Sequence, residues 1–564
     1  MTIRFDKFSG EVPKLNPRLL PQNTAQIAQN VRLDDGALTP FRCGKLAHTF
    51  GSSMQTIYRH NGTWLGWPEV VKVVPGPIAD DRLYITGDGA PKLRVGGVTY
   101  PLAVERPTAT PNASASGVVN PALAATYVYS YTVLTSLDEE SEPSPISNPV
   151  VWSPGVVITL TNLVSTSTSR AALKRIYRSQ TSALGETTMF LVAEIAFAAT
   201  SFVDNVTSST IQEPLPSLFY NAPPDDLQGI TALPNGIMAA FVGKKLYFSE
   251  PYKPHAWPER YVLTTEFDIV GLGAFGQSVA VVTKGHPYVV SGITPDAMSM
   301  DRIRVNLACT SASGIVDLGY AVVYPSDQGL VAISSGGAEV MTGNLIGIDA
   351  WRRLGAASMI AGHTNGRYAG TYTAGGYAGM LIVDTTGAQP FLIRSSDSAA
   401  AMWNEPGTGR LFMLSGNQVF EWDSPDSPYG QMLWRSKENV LPGYTNYGAL
   451  LVEGVDTMTP EEREANRTAW DKETLAANVV AQGAPPFWLE PIASGLLSPS
   501  PPPTPGFCVA IYADGALVHI VTDMNKPARL PAGFLALSWE VEVYSTLRIT
   551  AISLAPSPSD LAVI

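Results

Sequence analysis

IMAAFVGKKLYFSE, residues 237–250, sets two apolar, β-favouring runs on either side of Gly243. That arrangement is the signature of an antiparallel hairpin, because glycine supplies the backbone freedom that a tight reversal needs. The same design returns as VAVVTKGHPYVVSG around Gly285, AVVYPSDQGLVAIS around Gly329 and MIAGHTNGRYAGTYT around Gly366, with these glycines 42, 44 and 37 residues apart. Such a period matches propeller blades, each a small antiparallel sheet, although no WD or kelch repeat recurs. GMLIVDTTGAQPFLIRS and GRLFMLSGNQVFEWD continue the series. The sequence therefore predicts an all-β chain with a propeller-like body over residues 221–452. A tandem of β-sandwiches is the other arrangement this pattern allows.

Working outward, residues 106–220 read as an inserted module. It opens on RPTATPNASASGVVNP, whose composition suits a linker. The strands TYVYSYTVLTS, VVITLTNL, LKRIYRS and MFLVAEI then follow, with an acidic turn, DEESEPSPIS, after the first and FVDN at the end. Residues 1–105 are expected to join the main body. Residues 453–505 are expected to hold a helix and a connector, and residues 506–564 to return to strands through GFLALSWEVEVYSTLRITAISLA. Thr459-Pro460-Glu461-Glu462 supplies an N-cap, a proline at the first helical position and the glutamate of a capping box, so a helix should run over 460–478. Its few apolar positions, Ala465, Ala469, Trp470, Leu475 and Ala476, predict one narrow packed stripe. The proline-rich LLSPSPPPTPG behind it is expected to be an extended connector.

Composition narrows the function. The 564 residues carry 37 Lys plus Arg against 49 Asp plus Glu, a net charge of -12, which argues against specific binding to nucleic acid or to an anionic membrane. Cys43, Cys309 and Cys508 are too scattered for a metal or redox motif. No apolar leader and no run of about 18 apolar residues occurs, so the expectation is a cytoplasmically made protein without a membrane span.

Each string that could carry chemistry has a plainer account. Gly271-Leu272-Gly273-Ala274-Phe275-Gly276 has the form GxGxxG, but QSVAVVT after it reads as a strand where a phosphate-binding helix would be needed, so a glycine-rich blade connection is expected. Ser326-Asp327-Gln328-Gly329 lacks the spacing and tryptophan of a sialidase box and fits a hairpin turn. His48, His60, His255, His286, His363 and His519 stand singly. Asp138, Glu139, Glu140 and Glu142 could offer carboxylates to calcium, yet a solvated turn accounts for them. Trp257, Trp351, Trp403, Trp422, Trp434 and Trp539 are expected in the core. No catalytic, cofactor-binding or metal-binding residue is assigned, and no enzymatic activity is expected.

Two resemblances add to this reading. Residues 106–220, with a Tyr-rich strand before a Glu-Ser-Pro-Ser turn and "IYRS" before an Asp-terminated strand, resemble the fibronectin type III-like modules of phage structural proteins. FSGEVPKLNPRLLPQNTAQIAQNVRLDDGALTPFR, through Gly10, Pro13, Leu19, Pro21, Ala25, Gln26, Ala28, Asn30, Gly36, Leu38, Pro40 and Arg42, resembles the N-terminal signature of tail nozzle (tail tubular protein B-like) virion proteins of short-tailed phages. YFSEPYKPHAWPERY, the segment from Ile269 to Met300, the segment from Cys309 to Ser334 and the C-terminal strands are similar to the rest of that group.

The resemblance implies a virion component assembled in the host cytoplasm. It would be a homo-oligomeric ring, a hexamer, at the distal tail, docked to an adaptor ring and to fibre or needle proteins. DNA would pass through its lumen without specific binding, and it would need no cofactor. A receptor-binding or polysaccharide-depolymerising tail component is the alternative, followed by a non-viral lectin-like propeller. Within the N-terminal segment, Leu15, Leu19, Leu20, Ile27, Val31, Leu33 and Leu38 are expected to lie against apolar surface. Prolines 13, 17 and 21 should bar regular structure before about residue 22. Beyond it, AQIAQNVRL should form a helical turn or short strand, and the Asp34-Asp35-Gly36 turn should make ALTPFR a hairpin partner.

Overall fold

Each glycine-centred hairpin forms in the computed structural model, which describes residues 2–79, 81–181, 187–208, 213–374, 376–385, 389–477 and 506–561. Met238–Val242 pairs with Lys245–Phe248 across Gly243, and Ser278–Thr283 with Tyr288–Ser291 across Gly285. Val322–Ser326 pairs with Gly329–Ser334. At the fourth turn Asn365 and Gly366 both take positive φ, 49° and 73°, the conformation whose twist matches paired strands. The chain is all-β, with a propeller-like body of antiparallel sheets, an inserted sandwich and one short helical insertion.

Two compact units divide the chain, Met1–Pro68 with Val305–Ile564, and Glu69–Arg304. In the second, four-stranded blade-like sheets span Lys72–Pro101, Gln228–Thr264 and Ser299–Arg302 with its three preceding strands from Ile269. One core, with Tyr84, Leu93, Leu102, Ile230, Met238 and Trp257, lies between the first two sheets; another, with Phe241, Leu246, Leu272, Val279 and Val290, joins the last two. The string Gly271–Gly276 belongs to the strand Ile269–Phe275 and its turn, not to a connection between blades. Burial on both faces explains this: Gly271, Leu272 and Gly273 all lie buried, in a ladder with Ala280–Val282.

The sandwich sits in the same unit. One sheet is Asn112–Ser116, Val157–Thr161 and Phe202–Asp204; the other is Tyr129–Thr135, Ala171–Thr181 and Thr187–Ala196. Ala113, Tyr129, Tyr131, Ile158, Leu160 and Ile176 fill the space between them. The stretch expected as a linker thus contains an edge strand. NASAS has little intrinsic β preference, and its ladder with VITLT, together with the Asn148 side chain bonding both the N–H and the C=O of Ala113, draws it into the sheet.

In the first unit the N-terminal segment is internal. Ala25–Gln29 lies between Phe391–Ser395 and Met432–Ser436 in a ten-stranded sheet. Val31–Arg32 and Thr39–Pro40 make the hairpin expected around Gly36, and Lys45–Thr49 closes the sheet Ala401–Asn404, Leu411–Ser415, Gln418–Glu421 as its fourth strand. Leu20, Ile27, Val31, Leu33 and Leu38 are buried, but Leu15 and Leu19 face solvent, because the single 3-10 turn Pro17–Leu19 lifts the chain off the sheet. Before the prolines, Ile3–Phe5 pairs with Ile549–Ala555.

The helix is Pro460–Ala477, and its capping box is formed: Thr459 N–H donates to Glu462 Oε2 at 2.8 Å and Glu462 N–H to Thr459 Oγ1 at 3.2 Å. Its packed face is not the alanine stripe. Ala465 and Ala469 are exposed, whereas Asn466 is buried, donating to the Phe507 carbonyl (2.7 Å) and accepting from the Phe507 N–H (3.1 Å), and Trp470 meets Tyr544. The amide wins that position because it satisfies both polar groups of a strand end that would otherwise be orphaned. Position 478 and the proline-rich connector lie outside the described residues, and the side chains of Leu475 and Ala476 are likewise not described.

Candidate functional site

The acidic turn of the sandwich is where ionisable groups converge, and it is only in part the solvated turn expected. Asp138 is exposed and Glu142 half-buried, but Glu139 and Glu140 are 2% and 4% exposed. The strand Tyr129–Thr135 delivers them: Asp138 takes φ 59°, and Thr135 and Glu139 bond each other, folding the turn back beneath the sheet. Burial of a carboxylate demands partners. Glu139 Oε2 accepts from Arg170 Nε at 2.7 Å, and Arg170 spends its remaining donors on the carbonyls of Pro101 and Leu102. Glu140 accepts from the Thr132 hydroxyl (2.8 Å), the Tyr177 hydroxyl (2.7 Å) and Arg175 (3.1 Å).

His255, from the blade-like sheets, completes the cluster. Its Nε2 lies 3.1 Å from the Glu140 carbonyl, so Nε2 carries the proton and donates, and Tyr220 packs edge-on against the ring. Burial, reinforced by the positive charges of Lys253, Arg170 and Arg82, pushes its pKa down to about 3. Burial and the charge of Glu139 raise the Tyr84 hydroxyl to about 12. A second knot lies between the two sheets of the sandwich: Asp204 accepts from Tyr129 and Arg178, each at 2.6 Å, and Arg178 also reaches the Val206 carbonyl. Lys174 is buried without a carboxylate in reach, its ammonium donating to the carbonyls of Leu163 and Ala199 and the hydroxyl of Ser165; desolvation lowers its pKa.

Chemically, this arrangement holds parts together. Glu140 and Asp204 accept several bonds each, Glu139 accepts through Oε2 alone, and the histidine is neutral with its N–H committed. The groups have no solvent face where a substrate could meet them. The other singled-out residues are dispersed. Ser326-Asp327-Gln328-Gly329 is the hairpin turn expected, with the Ser326 hydroxyl bridging the turn to the Gly329 carbonyl. Trp257, Trp351, Trp422, Trp434 and Trp539 are buried and Trp403 half-buried among Tyr58, Trp64 and Phe412. Among the described residues Cys43, Cys309 and Cys508 form no disulfide. Among the described residues no three His, Cys, Asp or Glu side chains are grouped to hold a metal, and no helix is long and apolar enough to cross a membrane.

One buried pair escaped the sequence reading. Glu11, from the N-terminal segment, accepts from the Ala28 N–H (2.7 Å) and from Arg394 Nε (2.9 Å), while its own backbone pairs with Leu392. Burial raises the Glu11 carboxyl above its ordinary range against the pull of Arg394. Gly10 beside it permits the approach, since a Cβ there would lie 2.3 Å from the Leu392 oxygen.

No family model matches the sequence and no curated protein matches it. Among solved structures, BBS1N in complex with ARL6DN aligns over 45% of this chain and 88% of its own at 9% identity and a TM-score of 0.24. PorZ, a surface component of the type-IX secretion system of Porphyromonas gingivalis, aligns over 70% and 45% at 10% identity and 0.22. The extracellular domain of BT4673 from B. thetaiotaomicron aligns over 79% and 76% at 9% identity and 0.22. Likenesses this loose carry no argument about the chain.

Proposed function

We propose that this protein is a non-enzymatic structural component of a short-tailed phage tail, a nozzle-like ring through which DNA leaves, docked to an adaptor ring and to fibres. The observation that supports the reading is where the N-terminal string lies. Its Ala25–Gln29 core is an interior strand, and Glu11 is locked to Arg394, so the residues carrying the resemblance belong to the body of the protein. A buried scaffold of ion pairs suits a part that must keep its shape under load. An acidic chain also lets DNA slide past without adhering.

The size of the purified full-length particle, by mass photometry and low-resolution imaging, tests it. A closed ring with an axial opening is expected; a trimer or a stable monomer refutes the reading. Incubation with capsular polysaccharide is expected to release no reducing sugar. Release that a single Asp or Glu substitution abolishes would favour the depolymerase alternative.

A further inference from the structure

The sandwich distributes its charges unevenly. No charged residue occurs over 107–137 or 143–169, and between 195 and 208 the only one is Asp204, which is buried. These segments build the sheet Asn112–Ser116, Val157–Thr161, Phe202–Asp204. Its registers place Ser114, Thr159 and Val203 in one outward row, flanked by Ser116 with Val157 and by Asn112 with Thr161. The adjoining ribbon turns Thr126 and Val151 outward as a pair, and the loop beyond exposes Val118 (91%) and Leu123 (58%).

Solvent-facing sheets normally carry interspersed Lys, Arg, Glu and Asp. The opposite sheet of this same module does, with Arg175 and Glu194 bonded across strands at 2.9 Å. The uncharged face is therefore a property of one side and not of the module.

We propose that this uncharged face is the surface through which a second copy of the chain docks. A chain of net charge -12 repels its own copies wherever its acidic surface meets itself, and like charges set opposite each other across an interface oppose association strongly. On a face without charged side chains that repulsion is small. A basic partner would be steered to acidic surface elsewhere, whereas an uncharged face offers such a partner nothing to steer by. Depletion of charge with scattered exposed valine and leucine is also the composition of interface cores. The inference deepens the ring reading in naming a subunit contact, but it requires only self-association, whatever the number of copies.

The experiment uses the full chain and measures its association by sedimentation velocity over a range of concentrations. Ser114→Glu combined with Thr159→Glu adds two carboxylates to the centre of the face, at outward positions. Thr188→Glu on the opposite sheet is the control, and melting temperatures verify that all variants fold. The expected result is an oligomeric parent, a control that associates like it, and a double variant whose association midpoint moves to at least tenfold higher concentration and partly recovers in high salt. A double variant that assembles like the parent overturns this interface while leaving a ring intact. An oligomer of some other form that the double variant dissociates keeps the interface and refutes the ring. A monomeric parent at every concentration, or a face that binds only a different protein, overturns the proposal.

Discussion

Acidification should loosen the Glu69–Arg304 unit through one residue, His255. Its ring is buried, neutral and bonded through Nε2–H to the Glu140 carbonyl, with a pKa of about 3 against an ordinary 6.5. Because the folded value is depressed, the unfolded chain binds the extra proton first. The stabilisation is complete above pH 6.5 and is lost as pH falls from there toward 3. At about 1.4 kcal/mol per pH unit, roughly 2 kcal/mol should be gone by pH 5. For a body of this size that is a fall in Tm of about 4–8 °C.

The charged and titratable groups around the ring are Lys253, Arg170, Arg82, Tyr220 and Glu140. His255→Gln keeps a donor for the Glu140 carbonyl but cannot titrate. Thermal unfolding followed by tryptophan fluorescence, with hydrogen exchange around Trp257 to localise the event, should show the gap between parent and variant narrowing or reversing from pH 7.5 to 5. His363 and His519, whose pKa values burial also lowers, contribute equally to both proteins and cancel in the difference. Parallel pH profiles for the two proteins would refute the assignment.

Removing one partner of the buried Glu139–Arg170 pair should be severe. Arg170→Met is expected to destabilise by about 3–5 kcal/mol, and adding Glu139→Gln to recover part of that loss, as read by a denaturant double-mutant cycle. Expressed alone, residues 106–220 should fold as a sandwich, but less stably than residues 99–220, because only the longer piece keeps the Pro101 and Leu102 carbonyls that Arg170 uses; equal denaturation midpoints would contradict this. Deleting residues 1–42 removes an interior strand and the side chains of Phe5, Phe8, Val31 and Leu38, each worth about 1.5–3 kcal/mol, so no cooperatively folded protein should be recovered. A truncated protein with an unchanged Tm would show the segment to be dispensable.

What was legible in the sequence depended on distance along the chain. The hairpins around Gly243 and Gly366 and the Thr459 capping box involve partners a few residues apart, and their residues specify them locally. The burial of Glu139 and Glu140 was not legible. An acidic run reads as a wet turn until Arg170 and Arg175, some thirty residues on, are brought beneath it by strand pairing. The edge strand Asn112–Ser116 was hidden for the same reason: its small side chains state no preference, and its register is imposed by Val157–Thr161. Ala25–Gln29 finds Met432–Ser436 across some four hundred residues, a pairing that no local pattern announces.

The sandwich joins these two failures of local reading into one observation. It keeps Glu139, Glu140, Arg170, Lys174, Arg178 and Asp204 inside and leaves the outward face of the sheet Asn112–Ser116, Val157–Thr161, Phe202–Asp204 without charge. Buried ion pairs add little net stability over apolar packing of the same volume. What they supply is connection: Arg170 ties the turn to the carbonyls of Pro101 and Leu102, and Asp204 ties its own strand to Tyr129 and Arg178 of the other sheet. A face that is uncharged can associate with its own copy, but it cannot use long-range electrostatics to choose the angle of approach. In such a module the orientation of the face has to be set from within, and the buried ions are where this chain sets it.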